Sequence, residues 1–384
     1  MYHRGLRAQD YSFFLFGPRA TGKSTWLRKH YPEALSVNLL LDEDFMPLLQ
    51  EPGRLRQRVE AQPVDSWVVI DEVQRLPILL NEVHELITRH GKRYRYALSG
   101  SSARKLRRLD VNLLAGRVIE RQLFPLVASE LDDDFDLSRA LSFGTLPDVY
   151  VERAHSRDIL QAYVNTYLRQ EIQQEALVKD IGSFHRFLRV AAIMHGQVIN
   201  VAGVARDAGI ARTTVHRYFD ILVDTLVGFR LPAWQPRAKV RERAKPKFYF
   251  FDPGVVRALT GSIDSPLGDM ETGALLEGYV VHEMRAALAY QNLGGELCYW
   301  RTAGQKEIDV VWQQGDHSVG IEVKASTQSQ ASHASTLNEF IAAKNLQRGI
   351  VVYRGKERLR VGKVDVIPAG AFFAELHQGL LTHR

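Results

Sequence analysis

The sequence predicts an α/β protein that opens on a parallel sheet and closes on a second α/β domain, and three observations lead there. The first is Phe13-Phe14-Leu15-Phe16 running into Gly17-Pro18-Arg19-Ala20-Thr21-Gly22-Lys23-Ser24-Thr25. A short apolar run that reads as a buried strand precedes a glycine-bracketed loop, and Trp26-Leu27-Arg28-Lys29 can begin a helix after it. The second is Trp67-Val68-Val69-Ile70-Asp71-Glu72, an apolar strand closing on two carboxylates. The third is a set of strand-like segments near the C-terminus, Glu307 to Trp312 and Val319 to Lys324, joined through a Gly315-Asp316 turn.

The elements follow in order. Gly17-x4-Gly22-Lys23-Ser24 has the full Walker A spacing. Its glycines let the backbone wrap a polyphosphate, with N–H groups and a helix N-terminus directed at the negative charge. The expected ATP-binding set is Gly17, Pro18, Arg19, Ala20, Thr21, Gly22, Lys23, Ser24 and Thr25, in which Lys23 reaches the β- and γ-phosphates. Ser24 and Asp71 are placed to hold Mg²⁺, and Glu72 to polarise the attacking water. Ala34 to Leu39 reads as a second strand, followed by an acidic helical stretch to about residue 60. Tyr94 to Ser102 is a further strand and turn, from which Ser99 or Ser101 can sense the γ-phosphate; plain turn serines are an equal reading. Of the arginines beyond it (Arg104, Arg107, Arg108 and Arg117), Arg117 is the candidate for stabilising transition-state charge, the others forming a solvated face.

Acidic residues from Leu131 to Ser138 suggest a boundary, and helical spacing over 155–190 a connector without chemistry. Within 193–223, small Ala205, turn Gly209 and apolar Ile210 and Val215 suit the tight crossing of a helix-turn-helix. Its second helix should expose Arg212, Thr213, Thr214, His216 and Arg217 to phosphates or base edges. A strand from Leu226 to Leu231 and another from Phe248 to Phe251 then flank 237–247, which carries six basic residues and one acid and reads as a wing. Beyond Gly261 comes an amphipathic helix with Glu277 on its apolar side; Glu283, about 240° further round, should face solvent. Period-two alternation puts Glu322 and Lys324 on one strand face, where Asp309 on the partner strand can meet them. Glu277, Asp309 and Glu322 are therefore the expected ligands of Mg²⁺ or Mn²⁺, with Lys324 beside the water.

Composition bounds the reading. The chain has 384 residues, 45% of them apolar, and a net charge of +6 with a single cysteine, Cys298. That length allows two to four domains, and the lone cysteine excludes an internal disulfide and points to a reducing cytoplasm. No apolar run approaches membrane-spanning length, so no membrane partner is expected. The modest positive charge fits an anionic partner without requiring one.

The motifs in this order resemble a large group of prokaryotic AAA-type ATPases whose C-terminal half is a domain of unknown function. That half looks like a winged helix joined to a PD-(D/E)xK nuclease-like fold. The resemblance rests on Gly17 to Ser24, Ile70-Asp71-Glu72-Val73-Gln74, Leu98 to Ser102, Ala115-Gly116-Arg117 and Gly144-Thr145-Leu146-Pro147. Further on it rests on Tyr249 to Gly254, Glu277, Glu307-Ile308-Asp309 and Glu322-Val323-Lys324. It implies an AAA-type ATPase domain at 1–130, a helical connector at 131–192, a winged helix-turn-helix at 193–260 and a PD-(D/E)xK nuclease-like domain at 261–384. The expected protein is a DNA-associated ATPase that gates a metal-dependent nuclease-like domain by nucleotide state, with Lys23, Glu72, Glu277, Asp309, Glu322 and Lys324 catalytic. DNA would be met through 212–217 and 237–247, and a homo-oligomer is left open. The alternative is an ATP-driven switch or adaptor whose C-terminal domain binds protein and cleaves nothing.

Overall fold

A computed structural model describes residues 2–102, 114, 116–167, 180–234, 245–302, 304, 306–343 and 345–382. The chain divides into two compact units: His3–Pro125 with Asp224–Val227, and Met1–Tyr2 with Leu126–Val223 and Gly228–Arg384. Arg104, Arg107, Arg108 and residues 237–244 of the basic segment lie outside the described residues.

In the first unit, short apolar runs make a parallel sheet and the segments between them make helices. The elements are β1 (Phe13–Phe16), α1 (Lys23–His30), β2 (Leu35–Asn38), α2 (Asp42–Gln50), α3 (Arg54–Glu60), β3 (Trp67–Asp71), α4 (Leu79–His90), β4 (Arg95–Gly100) and β5 (Ile119–Gln122). The strand order is β2-β3-β4-β1-β5. β1 pairs in parallel with β4 and β5, Phe16 lying opposite Gly100 and Gln122. All four β1 side chains are buried, which is why that run is apolar without alternation. Phe14, Val37, Val68, Ile70 and Leu98 form the core with Leu79, Val83 and Leu86 of α4, each worth about 1.5–3 kcal/mol on burial. Because the strands run one way, the loop 17–22, Asp71 and Ser101 all leave the sheet at its C-terminal edge.

The second unit continues with α5 (Ala128–Leu131), α6 (Leu137–Phe143), α7 (Pro147–Val151), α8 (Ser156–Ala162) and α9 (Ile181–Ile193), the last capped by Asp180, which accepts from Ser183 N. Then come β6 (Gln197–Val198), α10 (Val201–Ala208), α11 (Arg212–Asp224), β7 (Gly228–Leu231) and β8 (Lys247–Phe250), with an antiparallel sheet in the order β6-β8-β7. Asn200 caps α10 and Gly209 ends it in the left-handed region, so the sharp turn expected there is present. After α12 (Pro253–Thr260) and α13 (Asp269–Tyr290), the chain forms β9 (Glu296–Arg301), β10 (Glu307–Gln314), β11 (His317–Lys324), α14 (Ser335–Ala342), β12 (Arg348–Tyr353), β13 (Leu359–Val361), β14 (Val364–Pro368) and α15 (Ala369–Leu376). The sheet order is β13-β14-β12-β11-β10-β9, antiparallel from β9 to β11 and parallel from β11 to β12 and β14.

Three buried polar groups tie this unit together across long stretches of chain. Asp252 caps α12 by accepting from Val255 N at 3.1 Å, and also accepts from Thr145 N at 2.7 Å. Gly144, at φ +75, sits so close that a Cβ would lie 1.9 Å from Asp252 Oδ1; burial pushes the Asp252 carboxyl up to about 6. Arg257, also buried, reaches Glu271 at 3.0 Å and Ser142 O at 3.2 Å. Glu283 corrects an expectation: it does not face solvent but is wholly buried and accepts from Ala128 N at 2.7 Å. The reason is that α13 is covered almost all round, with Leu275, Leu276, Tyr279, Val280, Val281, His282 and Met284 buried too, so an angle on the helix does not translate into exposure.

Candidate functional site

At the first unit's strand edge, Gly22 adopts the left-handed conformation and begins α1 without a side-chain cap, while Ala20 also has a positive φ. The first-turn N–H groups of α1 are thus left for a ligand. A Cβ on Gly17 would lie 2.3 Å from Leu123 O, so only glycine fits there. Lys23 is buried and donates to Gly17 O at 2.9 Å and Pro18 O at 3.1 Å, while Thr21 Oγ1 donates to Pro18 O at 2.9 Å. Ser24 and Thr25 are half-buried.

Asp71 ends β3 and Glu72 follows it, both buried. Ser99 Oγ donates to Asp71 and accepts from Glu72 N at 3.1 Å. Ser101 Oγ donates to Glu72 Oε2 at 3.1 Å, and Gln74 Nε2 donates to the same oxygen and to Ser101 Oγ. The two serines therefore position the acid pair, and Gln74 is a member of the site beyond those expected. Its signal lies in the spacing: a polar residue two places after the acids, on a short helical turn, points back at them. Arg117 requires a correction. It precedes β5, at the N-terminal edge of the sheet, and its guanidinium donates to Thr88 Oγ1 at 2.9 Å. A residue at the edge opposite the loop does not serve the phosphates of its own chain.

The second unit holds an open, polar cleft of about 820 Å³ lined by Lys247, Glu277, Arg301, Lys306, Glu307, Asp309, Glu322 and Lys324 among others. It brings the four expected C-terminal residues together. Asp309 Oδ2 accepts from Val323 N at 2.8 Å, and Lys324 Nζ donates to Glu322 Oε1 at 2.5 Å. Three further residues, Lys247, Glu307 and Tyr249, join them. Lys247 Nζ donates to Glu277 Oε1 at 2.7 Å, bonds Glu307, and lies 4.0 Å from Asp309 Oδ1. Tyr249 Oη donates to Glu277 Oε1 at 2.5 Å. The sequence places Lys247 in a solvated basic wing; instead it opens strand β8 with a side chain only 4% exposed. Period two along β8 sets Lys247 and Tyr249 on one face, so the pairing is readable once the strand is extended by one residue.

The electrostatics follow from crowding. Burial, then Asp309, push the Glu277 carboxyl up while Lys247 pulls against them. Burial, then Asp309, do the same to Glu322, and burial pushes Asp309 up against the pull of Lys247 and Lys324. Burial depresses the Lys247 ammonium, yet Glu277, Asp309 and Glu307 outweigh it and hold it above its usual value. A divalent ion does not fit these residues as they stand. Among the described residues no group of three or more His, Cys, Asp or Glu could hold a metal ion. The place between Glu277, Glu307 and Asp309 is taken by an ammonium, which corrects the expected metal set of Glu277, Asp309 and Glu322.

A parallel sheet in this order, with a Walker A loop after β1 and an Asp-Glu pair after β3, defines an AAA-type P-loop ATPase domain. Residues 9–131 match the family model of an AAA domain. Residues 134–265 match a domain of unknown function (DUF8612), and residues 272–372 another (DUF4143). Similar chains include uncharacterized proteins of Mycobacterium bovis and Mycobacterium tuberculosis, each 29% identical over 371 residues, which is 92% of this chain and 79% of theirs. An uncharacterized protein of Haemophilus influenzae is 22% identical over 342 residues, 85% of this chain and 80% of its own. Among solved structures, the Aeropyrum pernix ORC1 protein in complex with DNA aligns with 66% of this chain and 87% of its own at 12% identity and a TM-score of 0.29. The ORC2 protein of the same organism, in its ADP form, aligns with 66% and 88% at 13% identity and a TM-score of 0.34. Among the described residues no helix is long and apolar enough to cross a membrane.

Proposed function

We propose that the chain is an ATP-hydrolysing switch that associates with nucleic acid, DNA foremost, and whose C-terminal cleft sits on a PD-(D/E)xK-like fold. One observation carries the hydrolysis: the Asp71-Glu72 pair leaves β3 at the same sheet edge as the loop 17–22, its carboxylates held by Ser99, Ser101 and Gln74. The loop fits a nucleotide, since glycine is required at Gly17 and Gly22 and the uncapped start of α1 offers N–H groups to phosphate. Mg²⁺, held by Ser24 and Asp71, would offset phosphate charge when bound. Lys23 can turn from the Gly17 and Pro18 carbonyls to the phosphates, and Glu72 accepts a proton from the attacking water.

The winged-helix reading is supported by the order α9-β6-α10-α11-β7-β8 and by the exposure of Arg212, Thr213, His216 and Arg217 on α11, with Thr214 half-buried. The PD-(D/E)xK-like reading is supported by the order helix, three antiparallel strands, helix, parallel strand from α13 to β12. Metal-dependent cleavage is no part of this reading, because the Lys247 ammonium occupies the point on which Glu277, Glu307 and Asp309 converge. That one ion-pair cluster favours the second reading for this part of the chain, a C-terminal domain that binds and does not cleave.

The test is kinetic. Lys23→Ala should weaken nucleotide binding at least tenfold, while Glu72→Gln should keep binding and lower turnover by about 10²-fold or more, because an amide cannot take the proton. Unchanged hydrolysis in Glu72→Gln would remove the assignment.

A further inference from the structure

We propose that Lys247 is the resident cation of the C-terminal acid cleft, and that the cleft accepts a divalent cation only when that ammonium is removed. Four observations converge on it. Lys247 is almost wholly buried, although a free ammonium is among the costliest groups to desolvate. Its Nζ bonds Glu277 and Glu307 and approaches Asp309, so carboxylates from α13 and β10 are directed at one point and that point is occupied. Tyr249, two residues along β8, donates to the same Glu277 oxygen and fixes the carboxylate on which Lys247 sits. Finally, Glu322 Oε2 is buried on the cleft wall with no hydrogen-bond partner, while its other oxygen is held by Lys324. A buried carboxylate oxygen without a donor is costly, and it is an acceptor left over for a cation that takes the place of the ammonium.

The charge count favours one occupant at a time. Glu277, Glu307, Asp309 and Glu322 face Lys247 and Lys324, with Arg301 3.6 Å from Glu307. With Lys247 present, adding a doubly charged ion would set it against a buried ammonium bonded to the same oxygens, and the repulsion is poorly screened there. With Lys247 replaced by a neutral side chain of similar length, the carboxylates lose the ammonium that holds them as they stand and can close on Mn²⁺, which prefers hard oxygen donors.

The experiment uses the full chain without nucleotide, in an Asp71→Asn background so that the ATPase site contributes no signal, and follows Mn²⁺ binding by electron paramagnetic resonance and calorimetry. The parent chain should show no site tighter than millimolar. Lys247→Met should bind one Mn²⁺ per chain at least tenfold more tightly and melt at a higher temperature when Mn²⁺ is added. Adding Asp309→Asn should abolish both effects. Tight binding in the parent chain, no binding in folded Lys247→Met, or binding indifferent to Asp309→Asn would each overturn the proposal. Should Lys247→Met not fold, Lys247→Gln, which keeps a donor for Glu277, takes its place under the same criteria, and the parent titration decides independently. None of these readouts depends on nuclease activity or on the switch reading, so either can fail without the other.

Discussion

His195 is buried beneath α13, its Nδ1 accepting from Phe250 N at 3.1 Å and its Nε2 without a hydrogen-bond partner. A Cβ on Gly278 would lie 2.2 Å from that Nε2, so the glycine admits the ring. Burial alone depresses the imidazole to about 3. The unfolded chain therefore takes up a proton below about pH 6.5 that the folded chain refuses until about pH 3. Stability from this residue is complete above pH 6.5 and falls with pH through that window by about 1.4 kcal/mol per unit. The stability advantage of the wild type over His195→Gln should shrink by about 2 kcal/mol between pH 6.5 and pH 5 in denaturant titrations. An advantage that stayed constant would mean that the ring is protonated in the fold.

Among the elements, α11 carries the nucleic-acid reading. Arg212 and Arg217 are exposed on it, while Val215, Tyr218, Phe219, Ile221 and Leu222 face inward. Replacing both arginines with alanine should weaken duplex binding across sequences and lower the slope of log affinity against log salt by about 2, one for each phosphate no longer neutralised. An unchanged slope would shift this helix to a protein partner. The elements legible in the sequence are those whose pattern is local. Phe13 to Phe16, the loop after it and the strand into Asp71-Glu72 need only run length, glycine spacing and a terminal acid pair. The turn residue Gly209 is equally local. Glu283 is not legible, because its burial is decided by what covers α13, and Ala128 is far away in sequence. Lys247 misleads for a related reason: basic neighbours suggest a solvated run, while its surroundings are set by acids on α13 and β10. Arg117 misleads because flanking apolar residues say nothing about which end of a strand a residue occupies.

At the scale of the molecule, the chain forms two compact units, and the stretches expected as connector, helix-turn-helix and C-terminal domain share one of them. Glu283 shows what that sharing entails. Its carboxylate accepts from Ala128 N across 155 positions of chain, and Asp252 accepts from Thr145 N across 107. A fragment beginning at residue 262 keeps Glu283 with His377 3.5 Å away, but loses the Ala128 donor and part of the surface that covers α13; the loss of one such donor alone costs about 1–3 kcal/mol. Heated with circular dichroism recorded, residues 262–384 by themselves should melt broadly and well below the intact chain, whereas a sharp transition at the intact chain's temperature would show that the carboxylate needs no distant partner. A proteolytic cut between the two units leaves Ala128 and Glu283 together, whereas a cut inside the second unit that separates them should unfold the C-terminal stretch rather than release it.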